Sequence, residues 1–162
     1  GLEFFVASLL RQNGSSVPDS RGETFTRLFR ESVWPELLDE LSDDFGVLGA
    51  LKEMENGELH KEGLADLLDN LEFESPQEMR EVVQDFEYLD ERLEKAEDLF
   101  GQNGVIHVFI GRKSPLTRSR HLAVVGGAFE REGDRVILLT VGPRNMNYPK
   151  VIATFKCFQE TA

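Results

Sequence analysis

The densest group of chemically active side chains in this sequence is a basic cluster that runs from Arg112 to Arg120. Its four certain cations are Arg112, Lys113, Arg118 and Arg120. Between two predicted strands, a loop of this composition either contacts phosphate groups or an acidic protein surface, or is simply solvated. We take these four side chains as candidate interaction residues.

The other reactive residue types form no catalytic pattern. His60, His107 and His121 lie in three different contexts, without the spacing of metal ligands. His107 alternates onto one face of a predicted strand, so we expect it to be a hydrogen-bonded core residue. We expect Cys157 to be a packed thiol. Gly126-Gly127 lies within a predicted strand, which indicates a close backbone approach rather than a phosphate loop. We therefore predict no catalytic residue, no metal ligand, no cofactor and no enzyme activity.

The charge of the chain is unevenly distributed. The 162 residues carry a net charge of −12, which argues against a free-standing protein that coats DNA. Residues 1–100 hold 26 acidic and 9 basic residues, whereas residues 101–162 hold 4 acidic and 9 basic ones. The first part is therefore strongly acidic and the second part is basic, so the two parts suit partners of opposite charge.

Residues 1–100 read as helical, and the strongest pattern predicts one long helix over about 76–100. Ser75 is its N-cap, Pro76 suits the first helical position, and Glu78 completes a capping box. An apolar seam then repeats at spacings of three and four: Met79, Val82, Phe86, Leu89, Leu93, Ala96 and Phe100. This seam packs on the core of its own domain or also on a second subunit. The opposite face, Asp85 included, is strongly acidic and is either solvated or a docking surface for a basic partner.

After Gly104 the pattern changes to strands at 105–111, 122–129 and 136–141, followed by a helix that begins near Tyr148. We predict an α+β fold in which the C-terminal part is a small antiparallel β-β-β-α sheet. The expected division is a helical, acidic interaction region at 1–74, with a flexible stretch at 13–22, and a second region at 75–162. Three strands are few for an independent domain, so the sheet borrows further strands or is covered by the long helix.

The context of the chain follows from what the sequence lacks. A single cysteine excludes an internal disulfide and favours a reducing, cytoplasmic compartment. No apolar run reaches the ~18–20 residues of a membrane span. The chain begins Gly-Leu-Glu-Phe-Phe, without an initiator methionine or a signal-peptide pattern, so we expect a cut or processed fragment.

From about Gly63 onward, the order of motifs resembles the heat-inducible transcription repressor HrcA family. A leucine-rich segment that ends in Glu-Phe, 63–73, precedes the long helix. It is followed by 108–111 (an Ile-Gly strand end), 122–125 and the turn 142–148. Two positions depart from the family pattern. The turn has Arg144 followed by Asn145 where the family has its arginine at the second place, and Lys113 stands where the family usually has an acid. We add Arg144 to the candidate interaction residues.

The resemblance implies a GAF-like sheet joined to a helical dimerisation insert. Typical members bind an inverted-repeat operator through an N-terminal winged helix, repress chaperone genes and depend on the chaperonin GroEL. Nothing in residues 1–62 resembles a winged helix. We therefore expect a regulatory and dimerising module that does not read DNA sequence by itself.

Two other functions remain open from the sequence. In the first, the chain is an interaction subunit of a larger assembly, which is transcription-related or lies in an organellar nucleoid. In the second, its GAF-like sheet senses a small molecule. The acidic helical half and the basic loop favour the first of these alternatives.

Overall fold

The structure is a computed structural model that describes residues 19–161, with side chains described from 21 to 159. Residues 13–18 of the expected flexible stretch lie outside the described residues, whereas its residues 19–22 form the first turn of a helix. The α-helices of this part are α1 (Asp19–Arg30), α2 (Trp34–Phe45), α3 (Leu64–Asp69), α4 (Pro76–Ala96) and α5 (Tyr148–Thr161).

A five-stranded antiparallel sheet forms the centre of the molecule, so the predicted α+β class is confirmed. Its strands are β1 (Leu48–Glu53), β2 (Leu59–Glu62), β3 (Ile106–Ile110), β4 (Leu122–Arg131) and β5 (Asp134–Pro143). They lie in the order β2-β1-β5-β4-β3, which places β2 and β3 at the two edges.

The sheet is larger than the three predicted strands, because 48–53 and 59–62 are strands and not part of a helical region. β1 pairs with β5 along its whole length, from Leu48 opposite Val141 to Glu53 opposite Val136. This pairing with a distant segment overrides the local pattern. The sheet thus takes strands from both sides of the boundary expected at 74/75.

Both faces of the sheet are covered, which explains the almost continuous burial of β4 and β5. Helices α1, α2 and α5 cover one face, where Phe29 stacks on Phe158 with ring centroids 4.9 Å apart. α3 and α4 cover the other face. Gly126 allows close packing there, since a Cβ atom at this position would lie 2.5 Å from Leu139 Cδ2 and 3.2 Å from Phe100 Cε1.

Helix α4 begins where the sequence predicts, whereas the predicted range 76–100 is divided between this α-helix and a 3₁₀ turn. Ser75 Oγ accepts a hydrogen bond from the Glu78 backbone N–H at 3.4 Å, and Pro76 is the first helical residue. The helix runs to Ala96 and passes into a 3₁₀ turn, Glu97–Phe100. The capping box and the seam therefore define its limits.

The predicted seam faces the sheet of the same chain. Val82, Leu89, Leu93 and Phe100 are at most 1% exposed, and Phe86 and Ala96 pack against the same core. Met79, at 46% exposure, lies outside it. The apolar face of α4 is thus occupied within the monomer.

This packing predicts that alanine substitutions at two residues of the seam change the free energy of unfolding by different amounts. Leu89→Ala should lower the free energy of unfolding by about 2–5 kcal/mol, because it leaves a cavity between α4 and the sheet. Met79→Ala should change it by less than about 0.5 kcal/mol, because the side chain is largely in solvent. Urea denaturation of both variants measures the difference, and equal effects would contradict the assignment of the seam to the monomer core.

Candidate functional site

All five candidate interaction residues are exposed, and the loop between β3 and β4 carries four of them. Arg120 is paired, because its guanidinium lies 2.9 Å from a Glu78 carboxylate oxygen and 3.8 Å from Glu74. The other four make no ion pair within the described residues: Arg112, Lys113, Arg118 and Arg144.

Local hydrogen bonds determine the path of the loop. A 3₁₀ turn at Gly111–Lys113 follows β3, and Gly111 has a φ of 65°, which favours glycine. The Ser114 hydroxyl oxygen then accepts hydrogen bonds from the backbone N–H groups of Leu116 and Thr117, at 3.1 and 3.2 Å. The side chain of Leu116 is fully buried in the core beneath α4 and anchors the loop there.

The buried carboxylate of Asp85 on α4 attaches the loop to the helix. Its two oxygens accept hydrogen bonds from the backbone N–H groups of Arg118 and Ser119, both at 2.9 Å. Arg92, two turns further along α4, donates to the same carboxylate at 2.6 Å and to the Leu116 carbonyl at 3.3 Å. Asp85 is only 3% exposed, so a charge that would be costly alone is fully compensated.

The sequence pattern placed Asp85 on a solvated or docking acidic face. In the structure it is buried instead. It lies three residues after Val82 and four before Leu89, which is the spacing of the buried face of α4. Read as a polar residue within the seam, it could have been recognised from the sequence. Its partners in the loop could not, since no local pattern connects residue 85 to residues 118 and 119.

Glu78 makes a second attachment, near the first turn of α4. Its carboxylate lies 2.8 Å from His121 Nε2 and 2.9 Å from Arg120 Nη2, and it accepts the Glu74 backbone N–H at 2.6 Å. The pKa of Glu78 is lowered to about 2 by the hydrogen bond to His121, with further contributions from the Glu74 N–H and the Arg120 guanidinium. The capping residue of the helix therefore also holds the end of the loop.

Two of the unpaired cations, Arg112 and Arg118, line an open cavity of about 350 Å³ in the loop. It is lined by Arg112, Ser114, Pro115, Thr117 and Arg118. Thr117 is 1% exposed, and its hydroxyl has no hydrogen-bond partner in the part of the chain that the structure describes. Guanidinium and hydroxyl groups together suit carboxylates and phosphates, so this surface can bind an acidic group.

The turn that carries Arg144 adjoins the end of the loop. The Arg144 N–H donates to the His121 carbonyl at 2.9 Å, and the Tyr148 hydroxyl donates to the Arg144 carbonyl. Burial raises the pKa of Tyr148. The backbone of the fifth candidate residue thus adjoins His121, at the end of the loop.

The three histidines occupy three separate places, as the sequence suggested. His60 is on β2, His107 is on β3 with its ring 5.4 Å from that of Phe100, and His121 ends the basic loop. Cys157 is half-buried on α5, with Sγ 3.7 Å from the Ala153 carbonyl oxygen.

Comparison with known protein families decides the wider assignment. The family model described as "HrcA protein C terminal domain" matches residues 9–152. The chain belongs to the HrcA family. The suspected resemblance is therefore confirmed, and the match begins far earlier in the chain than the motifs that suggested it.

HrcA proteins are regulatory repressors of chaperone genes in the heat-shock response rather than a family of enzymes. The search of curated proteins and the search of solved structures found no match to this chain. Within residues 19–161, no helix combines the length and the apolar character needed to cross a bilayer.

The attachment at Asp85 predicts a large stability effect. Asp85→Ala should lower the free energy of unfolding by about 3–5 kcal/mol, because it leaves the Arg92 guanidinium and two loop N–H groups without their acceptor. Glu91→Ala, an exposed acid on the same helix, should change it by less than about 0.5 kcal/mol. Urea denaturation tests both variants, and a cost below about 1 kcal/mol for Asp85→Ala would mean that the loop does not depend on this carboxylate.

The lowered pKa of Glu78 predicts a pH dependence. A carboxyl group that titrates near 2 in the folded chain, against 4.5 ordinarily, adds stability above about pH 4.5 and loses it as the pH falls towards 2. Glu78→Gln should therefore be less stable than the wild type at pH 6, and the difference should shrink towards pH 2. Denaturation of both chains across this range measures it, and an NMR titration of the Glu78 carboxyl near 4.5 would contradict the prediction.

Proposed function

We propose that this chain is the regulatory and self-associating module of an HrcA-like repressor and that it does not read operator DNA by itself. The observation that carries this proposal is the match of the HrcA C-terminal domain over residues 9–152. The basic loop is the contact surface we assign to the module, through Arg112, Lys113, Arg118, Arg120 and Arg144. Its reducing, cytoplasmic location is part of the same proposal.

Charge supports the separation of this module from DNA reading. The solvent face of α4 and the turn after it carries exposed acids: Glu87, Asp90, Glu91, Glu94 and Asp98. DNA binding depends on neutralising phosphates with cations, and this acidic face adjoins the basic loop and opposes that effect. A protein partner can present acidic groups to the loop alone, whereas a DNA duplex carries phosphate charge along its whole length.

A second copy of the chain offers such a surface. Each monomer carries a basic loop at one part of α4 and an acidic solvent face on the same helix, so two copies can pair symmetrically, with each loop on the other's acidic face. Met79, Tyr88 and Leu99, each nearly half exposed, supply apolar area next to these charges. Self-association through complementary charges is therefore our leading proposal for how the module works.

Charge reversal tests this arrangement. We expect a dimer in sedimentation at high micromolar concentration, weakened by salt. Arg112→Glu with Arg118→Glu should give a monomer, and mixing this variant with Glu91→Arg/Glu94→Arg should restore a dimer between the two chains. Lys150→Glu, a reversal on the exposed surface of α5, is the matched control and should remain dimeric.

The result that contradicts the proposal is a strict monomer for the wild-type chain, or a dimer unaffected by the loop reversals. Operator binding by this chain that survives moderate salt would contradict the other half of the proposal.

An interaction subunit of a larger assembly is the second candidate function, and the four unpaired cations favour it. In that case the loop contacts an acidic partner protein, and by family analogy the chaperonin is one such partner. Co-purification of a partner by the wild-type chain but not by Arg112→Glu/Arg118→Glu would support this function over self-association.

A further inference from the structure

A second group of polar side chains lies at the opposite edge of the sheet from the basic loop. Glu53 ends β1, Glu58 follows the turn, and His60 is on the edge strand β2. The Glu53 N–H donates to the Glu58 carbonyl at 2.9 Å, and His60 pairs with Leu51. Because side chains alternate along a strand, all three side chains lie on the same face of this hairpin.

The potential ligand atoms of these residues converge. One atom of each residue, the His60 ring nitrogen or a carboxylate oxygen, lies within 4.8 Å of the other two. His60 Nε2 and Glu53 Oε1 are 3.5 Å apart. Two ligands bound at about 2.0–2.2 Å to one tetrahedral ion are separated by about 3.3–3.6 Å. The observed spacing is that of two ligand atoms around a common ion.

The turn residue Asn56 orients this group. Its Nδ2 donates to Glu53 Oε2 at 2.8 Å, and its Oδ1 accepts the Glu58 backbone N–H at 2.8 Å. Gly57, with a φ of 72°, closes the turn by donating to the Glu53 carbonyl. With Oε2 held by Asn56, the other oxygen of Glu53 is directed towards His60, as hydrogen-bonded neighbours orient the ligands at metal sites.

The His60 nitrogen is otherwise unexplained. Nε2 is buried, and it has no hydrogen-bond partner within the described residues. Its contact with Glu53 lacks the geometry of a hydrogen bond. A buried polar atom without a partner is costly, and a bound cation would compensate it.

We propose that His60, Glu53 and Glu58 bind a divalent transition-metal ion, with Zn²⁺ as the best fit. An imidazole nitrogen selects such ions over Mg²⁺ and Ca²⁺, and the two carboxylates balance the charge of the ion. Three protein ligands leave a fourth position for water or an outside ligand. About three quarters of the Glu53 and His60 side chains is buried, whereas Glu58 is exposed, so the ion enters from the solvent side. Histidine spacing in the sequence does not mark this group, because two of its three proposed ligands are glutamates.

Isothermal titration of the apo chain with Zn²⁺ at neutral pH tests the proposal. We expect one equivalent to bind, and His60→Ala and Glu58→Gln each to weaken the affinity at least tenfold. Asn56→Ala should weaken it about tenfold through loss of the orienting contact. Glu62→Gln removes one carboxylate charge at the end of β2, outside the group, and should bind as the wild type does.

The opposite results overturn the site. These are a wild-type chain that binds no Zn²⁺, or His60→Ala and Glu58→Gln variants that bind it unchanged, as binding at Cys157 would give. Displacement of Zn²⁺ by a tenfold excess of Mg²⁺ would overturn the choice of a transition metal. Far-UV circular dichroism checks that each variant is folded, and Glu58→Gln, at an exposed position, provides the test if His60→Ala fails to fold.

Discussion

The buried carboxylate of Asp85 is the constraint on which the basic loop, the proposed contact surface, depends. A carboxylate at 3% exposure is stable only when its charge and its hydrogen-bonding capacity are satisfied. Arg92 supplies the opposite charge from the same helix, and the backbone of residues 118 and 119 supplies two N–H donors from the loop. The loop therefore follows a path that brings these N–H groups to the carboxylate. Its unpaired cations are displayed as a consequence of a core requirement.

The two layers of helices make different kinds of contact. On one face of the sheet, α1, α2 and α5 bury an aromatic core around Phe29 and Phe158. On the other face, α4 buries its seam and carries polar attachments to the loop, through Glu78 and Asp85. The proposed contact surface thus lies on the face where α4 makes these polar attachments. The proposed metal site lies on the first face, at the far edge, so the two proposals concern separate parts of the fold.

Features determined by neighbouring residues could be predicted from the sequence. Ser75, Pro76 and Glu78 define the start of α4, and the apolar spacing gives its length. The hairpin between β4 and β5 turns at Glu132 and Gly133, both with positive φ, where a glycine suggested a turn. Strands β1 and β2 could not be predicted in this way. Leu48-Gly-Ala-Leu51 is too short and apolar to distinguish strand from helix, and only pairing with β5 decides it. The proposed metal-ligand group could not be predicted either, since it exists only once 53, 58 and 60 share a hairpin face.

Helix α4 is fixed at both of its ends. Near its start Glu78 and Asp85 hold the loop, and beyond its last turn Phe100 packs where Gly126 leaves room in the middle of β4. Lys52 on β1 adds an ion pair to Glu97 at the same end. A helix held at two distant points is less free to pivot than a helix held at one point. The basic loop is therefore connected through α4 to the centre of the sheet, so a partner bound at this proposed contact surface would fix the orientation of the whole domain.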